Sequence, residues 1–186
     1  MDCFYRCNFM YITLPDSLEI IGTRAFGSNN GLKKVNIPEG VGIINSKVFH
    51  CCAIEEIKFP TSLKVIDFKA FAQNKFTKVV FPPYLTNIEN EAFFKCEQLK
   101  NIELPATIKK IGTDAFGYCN ISVVNLPTDF SECFFDWAFN FRSNRVLGNY
   151  VIDRNGLTKE QEKECELLES QSKKKVVKKN DFEHEE

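Results

Sequence analysis

The sequence lacks both a charge imbalance and a long apolar run. Its 24 basic residues nearly equal its 25 acidic residues, so no overall field favours nucleic acid or an anionic membrane surface as a partner. No segment approaches the roughly 18 consecutive apolar residues that a membrane-spanning helix needs. The first residues, MDCFYRCNFMYITLP, also lack the basic segment and apolar core of a secretory signal. These absences predict a soluble chain without membrane insertion, which is cytoplasmic by sequence.

The sequence also has little of what enzymes and metal sites require. Histidine occurs only at His50 and His184, and neither a Cys-x-x-Cys pair nor a glycine-rich phosphate loop is present, so no ordinary zinc or phosphate site is expected. Cys51 follows His50 directly, but neighbours on an extended segment point to opposite sides, which argues against a Cys/His catalytic pair. We therefore expect no catalytic residues and no cofactor.

What the sequence does contain is a repeated unit marked by proline. Six of its 7 prolines recur at intervals of 22 or 23 residues, and Pro83 alone falls outside the series. A period of this length is typical of solenoids. The six are Pro15, Pro38, Pro60, Pro82, Pro105 and Pro127.

Each unit carries apolar residues at fixed positions around its proline. They lie six, three and one positions before it, as at Leu32, Val35 and Ile37, and this alternation predicts a short strand that the proline ends. A second extended segment is predicted three to six residues after the proline, as at Val41 and Ile44. Residues that mostly favour turns come next.

A phenylalanine ends each unit, and a cysteine or asparagine follows it three residues later. Since parallel strands lie about 4.8 Å apart, the rings are predicted to form an offset stack down the core. They are Phe4, Phe26, Phe49, Phe71, Phe93 and Phe116. The positions after them are Cys7, Asn29, Cys52, Asn74, Cys96 and Cys119. We expect the asparagines to hydrogen-bond the adjacent turn and the thiols to be free and buried, as at Cys3 and Cys133, with Cys51 and Cys165 exposed.

The full unit, approximately L-x-x-I-x-L-P-x-x-L-x-x-I-G-x-x-A-F-x-x-C, resembles the leucine-rich repeat family and specifically its BspA-like subclass. Five complete units and two partial ones cover Cys3 to about Phe139. The resemblance implies a right-handed curved solenoid with a parallel β-sheet on its concave face. It implies short strands, turns and irregular structure on the convex side, with little helix in the repeats.

The same resemblance implies non-enzymatic protein binding through the concave face, because members of the subclass are commonly described as surface proteins that attach to host or matrix proteins. An intracellular scaffold or adaptor of the same fold is the alternative, favoured by the missing signal and the free thiols. The chain also begins inside a unit, at Cys3 and Phe4, so a fragment of a longer repeat protein is a third possibility. Its uncapped first edge is expected to self-associate.

The candidate binding residues are those that the strand pattern points outward on the concave face. Lys33 is expected beside Glu55, and Glu56 between Lys34 and Lys78, so the pattern favours a self-neutralising solvated surface, with a polar docking face as the alternative. The candidates are Tyr11, Lys33, Lys34, Asn36, Glu55, Glu56, Lys58, Thr77, Lys78, Val80, Lys100, Asn101 and Glu103.

Composition changes after the last repeat proline, which predicts three regions. Residues 1–127 form the solenoid, and residues 128–156 form a degenerate repeat and an aromatic C-terminal cap. Residues 157–186 form a charged helix, begun by a capping box at Thr158 and Gln161, and a disordered charged tail.

Overall fold

The units of Pro38, Pro60, Pro82 and Pro105 each fold into two short strands separated by turns, whereas no strand lies in the unit of Pro15. A computed structural model describes residues 2–121, 123–125, 144–147 and 150–153. The strand before each proline gives β1 (Lys34–Asn36), β3 (Glu56–Lys58), β5 (Lys78–Val80), β7 (Asn101–Glu103) and β9 (Val123–Asn125). The segment after each proline gives β2 (Ile43–Ile44), β4 (Val65–Ile66), β6 (Asn87–Ile88) and β8 (Lys110–Ile111).

The strands stack in parallel on two walls and form a solenoid of about 4 turns, which confirms the predicted fold class. On one wall β2, β4, β6 and β8 form a continuous parallel sheet in which Ile44 faces Ile66 and Ile66 faces Ile88. On the other wall β1 pairs with β3, β5 with β7, and β7 with β9. We call the outward side chains of this second wall the primary face. No helix occurs in the described ranges, and the predicted C-terminal helix lies outside them.

The wall that carries the primary face is interrupted between β3 and β5. The Lys75 amide still donates to the Ile54 carbonyl at 2.9 Å, but no strand ladder joins β3 to β5. The interruption coincides with Phe76, which occupies the position that Leu32 and Leu99 fill in other units. Its ring packs edge-on against Phe71 and Phe93, with centroids 5.8 and 6.0 Å apart. The sequence pattern gave no sign of this break.

The phenylalanine stack forms as predicted. Successive rings from Phe4 to Phe116 lie 5.3, 5.6, 5.6, 5.4 and 5.4 Å apart with interplanar angles of at most 19°. The rings of Phe49, Phe71, Phe93 and Phe116 are fully buried, whereas Phe4 at the open end is 45% exposed. Ring stacking and burial together make this column a continuous apolar contact between units.

The cysteine or asparagine after each ring joins its unit to the one before. Asn74 Nδ2 donates to the carbonyls of Phe49 and Phe71 at 2.8 and 2.9 Å, while its Oδ1 accepts from the Ile54 amide at 3.0 Å. Cys96 Sγ donates to the Phe71 carbonyl at 3.3 Å. Asn29, Cys52 and Cys119 likewise donate to the phenylalanine carbonyl of the preceding unit. The predicted role of the asparagines is confirmed.

The turns that carry the chain between the walls place non-glycine residues in the left-handed region. One column, with φ between 52° and 57°, consists of Arg24, Lys47, Lys69, Glu91 and Asp114. A second column, with φ between 52° and 60°, consists of Arg6, Ser28, Cys51, Gln73, Lys95 and Tyr118. Such a conformation is uncommon for residues other than glycine. The turn-favouring residues of the sequence pattern lie two positions before the first column, so the pattern did not locate the left-handed residues.

The wall that carries the primary face gains two antiparallel strands after the last repeat. β10 (Asn144–Leu147) pairs with β11 (Tyr150–Asp153), and β11 pairs with β9. Pairing of β11 with β9 satisfies backbone groups that an open sheet edge would leave exposed. Most of residues 128–156, and all of residues 157–186, lie outside the described residues, so the proposed cap and tail stay predictions.

Candidate functional site

All thirteen residues predicted for the binding face are exposed. On β1, β3, β5 and β7 they alternate with inward residues such as Val35, Val79 and Ile102, because successive side chains of a strand point to opposite faces. Tyr11 precedes the first strand and is 82% exposed. The structure therefore presents these side chains to solvent, and their role in binding is still a prediction.

Two of the three lysines on the first half of the primary face pair with carboxylates. Lys33 pairs with Glu55 at 3.5 Å and Lys34 with Glu56 at 2.8 Å, which confirms two predicted contacts. The expected third contact, between Glu56 and Lys78, does not form, since β3 and β5 are not joined by a ladder. Exposed pairs of this kind contribute about 0–1 kcal/mol each.

The second half of the primary face contains a groove of about 880 Å³ over β5 and β7. Lys78 lies opposite Asn101, and Val80 opposite Glu103, in the parallel register. Val80 is 67% exposed, although it is apolar. Thr77 and Pro105 also line the groove. An apolar side chain surrounded by hydrogen-bonding groups suits recognition of a peptide segment better than of a small apolar molecule.

The groove and its border carry excess positive charge. Lys58, Lys78 and Lys100 form no ion pair within the described ranges, and Glu103 is the carboxylate that lines the groove. In the first half Lys33 and Lys34 have carboxylate partners and Lys58 has none, whereas in the second half neither Lys78 nor Lys100 forms an ion pair among the described residues. The strand pattern of the sequence predicts one continuous surface, because it does not reveal the interruption between β3 and β5.

Two of the thiols predicted to be buried are exposed. Cys3 and Cys7 lie at the surface, whereas Cys52 and Cys96 are buried and Cys119 is partly so. Cys3 and Cys7 occupy template positions, but no unit precedes them in the structure to cover them. Cys51, predicted to be exposed, is partly buried. The described cysteines are all free thiols, and Cys133 and Cys165 lie outside the described residues.

The side chains of His50 and Cys51 meet, contrary to the sequence argument. Cys51 Sγ lies 3.4 Å from His50 Nε2 and 3.3 Å from Gln73 Oε1. The backbone at Cys51 is left-handed, with φ of 52°, so the extended-strand geometry that would separate the pair does not apply. Burial raises the pKa of Cys51, while burial and nearby cations, first Lys47, lower the pKa of His50. Both groups are thus neutral near pH 7, unlike a thiolate–imidazolium nucleophile.

Other sites can be judged only within the described residues. There, no three side chains of the types that bind metals converge. Nor does any helix in that part of the chain have the length and apolarity to cross a membrane.

The N-terminal end of the solenoid is an open apolar surface. A cavity of about 470 Å³ is lined by Phe9, Leu14, Leu18 and Ile21 with the rings of Phe4 and Phe26. Met10, Tyr11 and Ile20 are also largely exposed near this end. Contiguous exposed apolar surface of this kind usually marks a contact site.

Comparison with known proteins identifies the repeat. A model of the BspA type leucine-rich repeat region matches residues 1–122 and 64–158, with 6 copies. A search of curated proteins found no match.

Solved structures with the same fold come from two bacteria. The chain is similar to a leucine-rich repeat protein from Bacteroides ovatus ATCC 8483, with 30% identity and a TM-score of 0.60 over 62% of this chain and 31% of that one. It is also similar to the T. pallidum leucine-rich repeat protein TpLRR, with 30% identity and a TM-score of 0.56 over 58% of this chain and 52% of that one. The chain spans less than two thirds of either relative.

Proposed function

Because the chain belongs to the BspA-type leucine-rich repeat family, we propose that it is a non-enzymatic protein that binds a protein partner on the second half of the primary face. The family is generally a protein-interaction module rather than a catalyst. The observation that carries the proposal is the groove over β5 and β7, where Val80 is exposed on the same strand as Lys78, which forms no ion pair among the described residues. A partner segment with an apolar anchor and nearby carboxylates would complement it.

Removing the apolar anchor and one lysine should weaken this binding strongly. We expect the double variant Lys78→Glu, Val80→Ser to weaken the complex about thirtyfold or more, since loss of a central contact typically costs about 2 kcal/mol or more. The partner would first be captured by a photo-crosslinking residue at Thr77 and then titrated as a purified protein. Both substituted side chains are exposed, so the fold should be retained.

A matched control lies on the opposite wall. Lys109→Glu with Ile43→Ser makes the same chemical changes at exposed positions of the other wall and should leave the affinity within about twofold, the scale of a neutral surface change. Equal losses in both double variants, or a loss only in the control, would refute the assignment of the partner to the primary face.

The second component of the proposal is self-association through the open N-terminal end. Its support is the apolar cavity beside Phe4 and the exposure of Ile20. We expect concentration-dependent dimers in sedimentation velocity, and at least a tenfold weaker dimer when Ile20→Asp places a charge in the contact. A species that stays monomeric at high concentration, or dimers unaffected by the substitution, would contradict this component.

The compartment in which the protein binds its partner distinguishes adhesion from an adaptor role. We propose adhesion to host or matrix protein, by analogy with the subclass, with an intracellular scaffold as the alternative. Cys3 and Cys7 are exposed and can report on the compartment through a membrane-impermeant maleimide. Modification of intact cells supports adhesion, and modification only after permeabilisation supports the scaffold.

A further inference from the structure

Three cations occupy the same position in three consecutive units, away from the primary face. Arg24, Lys47 and Lys69 follow their unit prolines at the same interval, and their backbones are left-handed. Each amide donates to the next unit, to Ser46, Phe68 and Asn90 carbonyls at 3.0, 3.0 and 3.2 Å. The core rings of these units are 5.6 Å apart, so the three side chains start at closely similar intervals. We call Arg24, Lys47 and Lys69 the basic row.

Aromatic rings hold the basic row in place. The Arg24 guanidinium lies 4.7 Å from the centroid of the Tyr5 ring. The ammonium groups of Lys47 and Lys69 lie 5.3 and 5.0 Å from the centroid of the Phe68 ring. Cation–π contact and partial burial of the stems restrict these side chains. A ligand would therefore meet positive charges that are already ordered, which lowers the entropy lost on binding.

The carboxylates that balance the row lie toward its two ends. Asp2 lies 3.6 Å from Arg24, and Glu91 lies 3.0 Å from Lys69. Lys47, in the middle, forms no ion pair among residues 2–121. The nearby Asp67 carboxylate accepts a hydrogen bond from the Phe68 amide at 2.6 Å. An anion can therefore approach Lys47 without displacing a carboxylate partner from it.

The positive charges of the basic row act on His50. Burial lowers the pKa of this half-buried imidazole, and Lys47, Lys69 and Arg24 lower it further. The imidazole is consequently neutral near pH 7, and the three cations act together on the same point in space. Three regularly spaced cations and two carboxylates leave the row with a net positive charge centred on Lys47, and a polyanion can replace both carboxylates while its own counterions are released.

The chemistry of the row indicates the class of polyanion. Protein interfaces rely on exposed apolar and aromatic anchors, but the large exposed hydrophobic side chains of the described residues all lie outside the row. Single-stranded nucleic acids stack their bases on open aromatic faces, whereas the rings here are covered by the cations. We propose that the basic row binds one strand of a sulfated polysaccharide, whose sulfates pair with Arg24, Lys47 and Lys69.

The test is titration of a heparin-derived octasaccharide over a range of salt concentrations. Replacing all three cations by glutamine should weaken binding at least tenfold. It should also reduce the slope of log Kd against log salt by about 2–3, one for each lost contact. Lys47→Gln alone should weaken binding about threefold while keeping both end cations, and it provides the readout if the triple variant does not fold.

The matched control removes the same charge from the primary face. Lys58→Gln, Lys78→Gln and Lys100→Gln together should leave octasaccharide binding within twofold, even if they abolish binding of the protein partner. The proposal therefore succeeds or fails independently of the proposed function. Equal losses in the two triple variants, equal binding of the desulfated octasaccharide, or tighter binding of polyglutamate or single-stranded DNA would overturn it.

Discussion

Replacing Phe71 with alanine is expected to lower the free energy of unfolding by about 3–5 kcal/mol. Phe71 lies in the middle of the phenylalanine stack and is fully buried. Its ring stacks between Phe49 and Phe93 at 5.6 and 5.4 Å. Phe59 and Phe76 pack edge-on against it at 5.6 and 5.8 Å. The substitution would therefore open a cavity walled by four rings, which cannot collapse without moving two adjacent units.

Urea denaturation monitored by circular dichroism measures this effect. Tyr84→Ala is a suitable control because Tyr84 is 62% exposed, and its loss should cost less than about 0.5 kcal/mol. A cost below about 1 kcal/mol for Phe71→Ala would show that the stack does not hold the units together. Because repeat arrays can unfold in parts, the slope of each transition should be compared with that of the unsubstituted chain.

Replacing Asn74 with leucine is expected to cost about 2–5 kcal/mol, although it adds apolar volume. Asn74 is 3% exposed, and leucine would remove the donor to the Phe49 carbonyl and the acceptor of the Ile54 amide. Each buried backbone group left unpaired costs about 1–3 kcal/mol. The Phe71 carbonyl is less affected, since Cys96 Sγ also donates to it.

Asn74→Cys is the informative comparison. Cys52 and Cys96 occupy the same position in neighbouring units and donate to the preceding phenylalanine carbonyl. A thiol at position 74 should therefore retain the contact with Phe49 and lose the acceptor for Ile54, at roughly half the cost of leucine. The free energies of unfolding of the cysteine and leucine variants, measured by thermal or urea denaturation, test this difference. Equal stability of the leucine variant and the unsubstituted chain would refute a structural role for these hydrogen bonds.

Much of the fold could be predicted because each structural position recurs in several units of the sequence. The proline spacing and the apolar positions before it indicated the strands of the primary wall, and Ile44 and its counterparts indicated the second wall. Phenylalanine recurs once a unit, and this recurrence indicated the core stack. Asn29 and Asn74 were interpretable because a polar residue in a buried register must find partners.

What the sequence did not reveal depends on departures from the repeat or on its edges. The interruption beside Phe76 arises in one unit, so the template could not predict it. The same limit explains Cys3 and Cys7, whose template positions are inward but whose preceding neighbour is missing in the structure. The contact between the side chains of Cys51 and His50 was not predicted, because the backbone at Cys51 is left-handed. The residue types at this position of the units do not indicate that conformation.

The candidate face was predicted residue by residue, but its division was not. Alternation along a strand is enough to separate outward from inward positions, and all thirteen predicted residues are exposed. Which lysines find a carboxylate depends on the strand pairing across units. Lys34 meets Glu56 because β1 and β3 are paired, whereas Lys78 has no such partner across the interruption. The pairing of strands between units therefore decides whether a lysine lies opposite a carboxylate or stays without an ion pair.

The hydrogen bond from each cysteine or asparagine to the preceding phenylalanine carbonyl has a consequence for how such a chain can change its length. The donor and the acceptor hold the same places in every unit, from Asn29 and Phe4 to Cys119 and Phe93. Duplicating or deleting one whole unit within the array would therefore join a donor to an equivalent acceptor. A gene encoding this chain could gain or lose units by unequal crossing-over without leaving a phenylalanine carbonyl unmatched at the new junction.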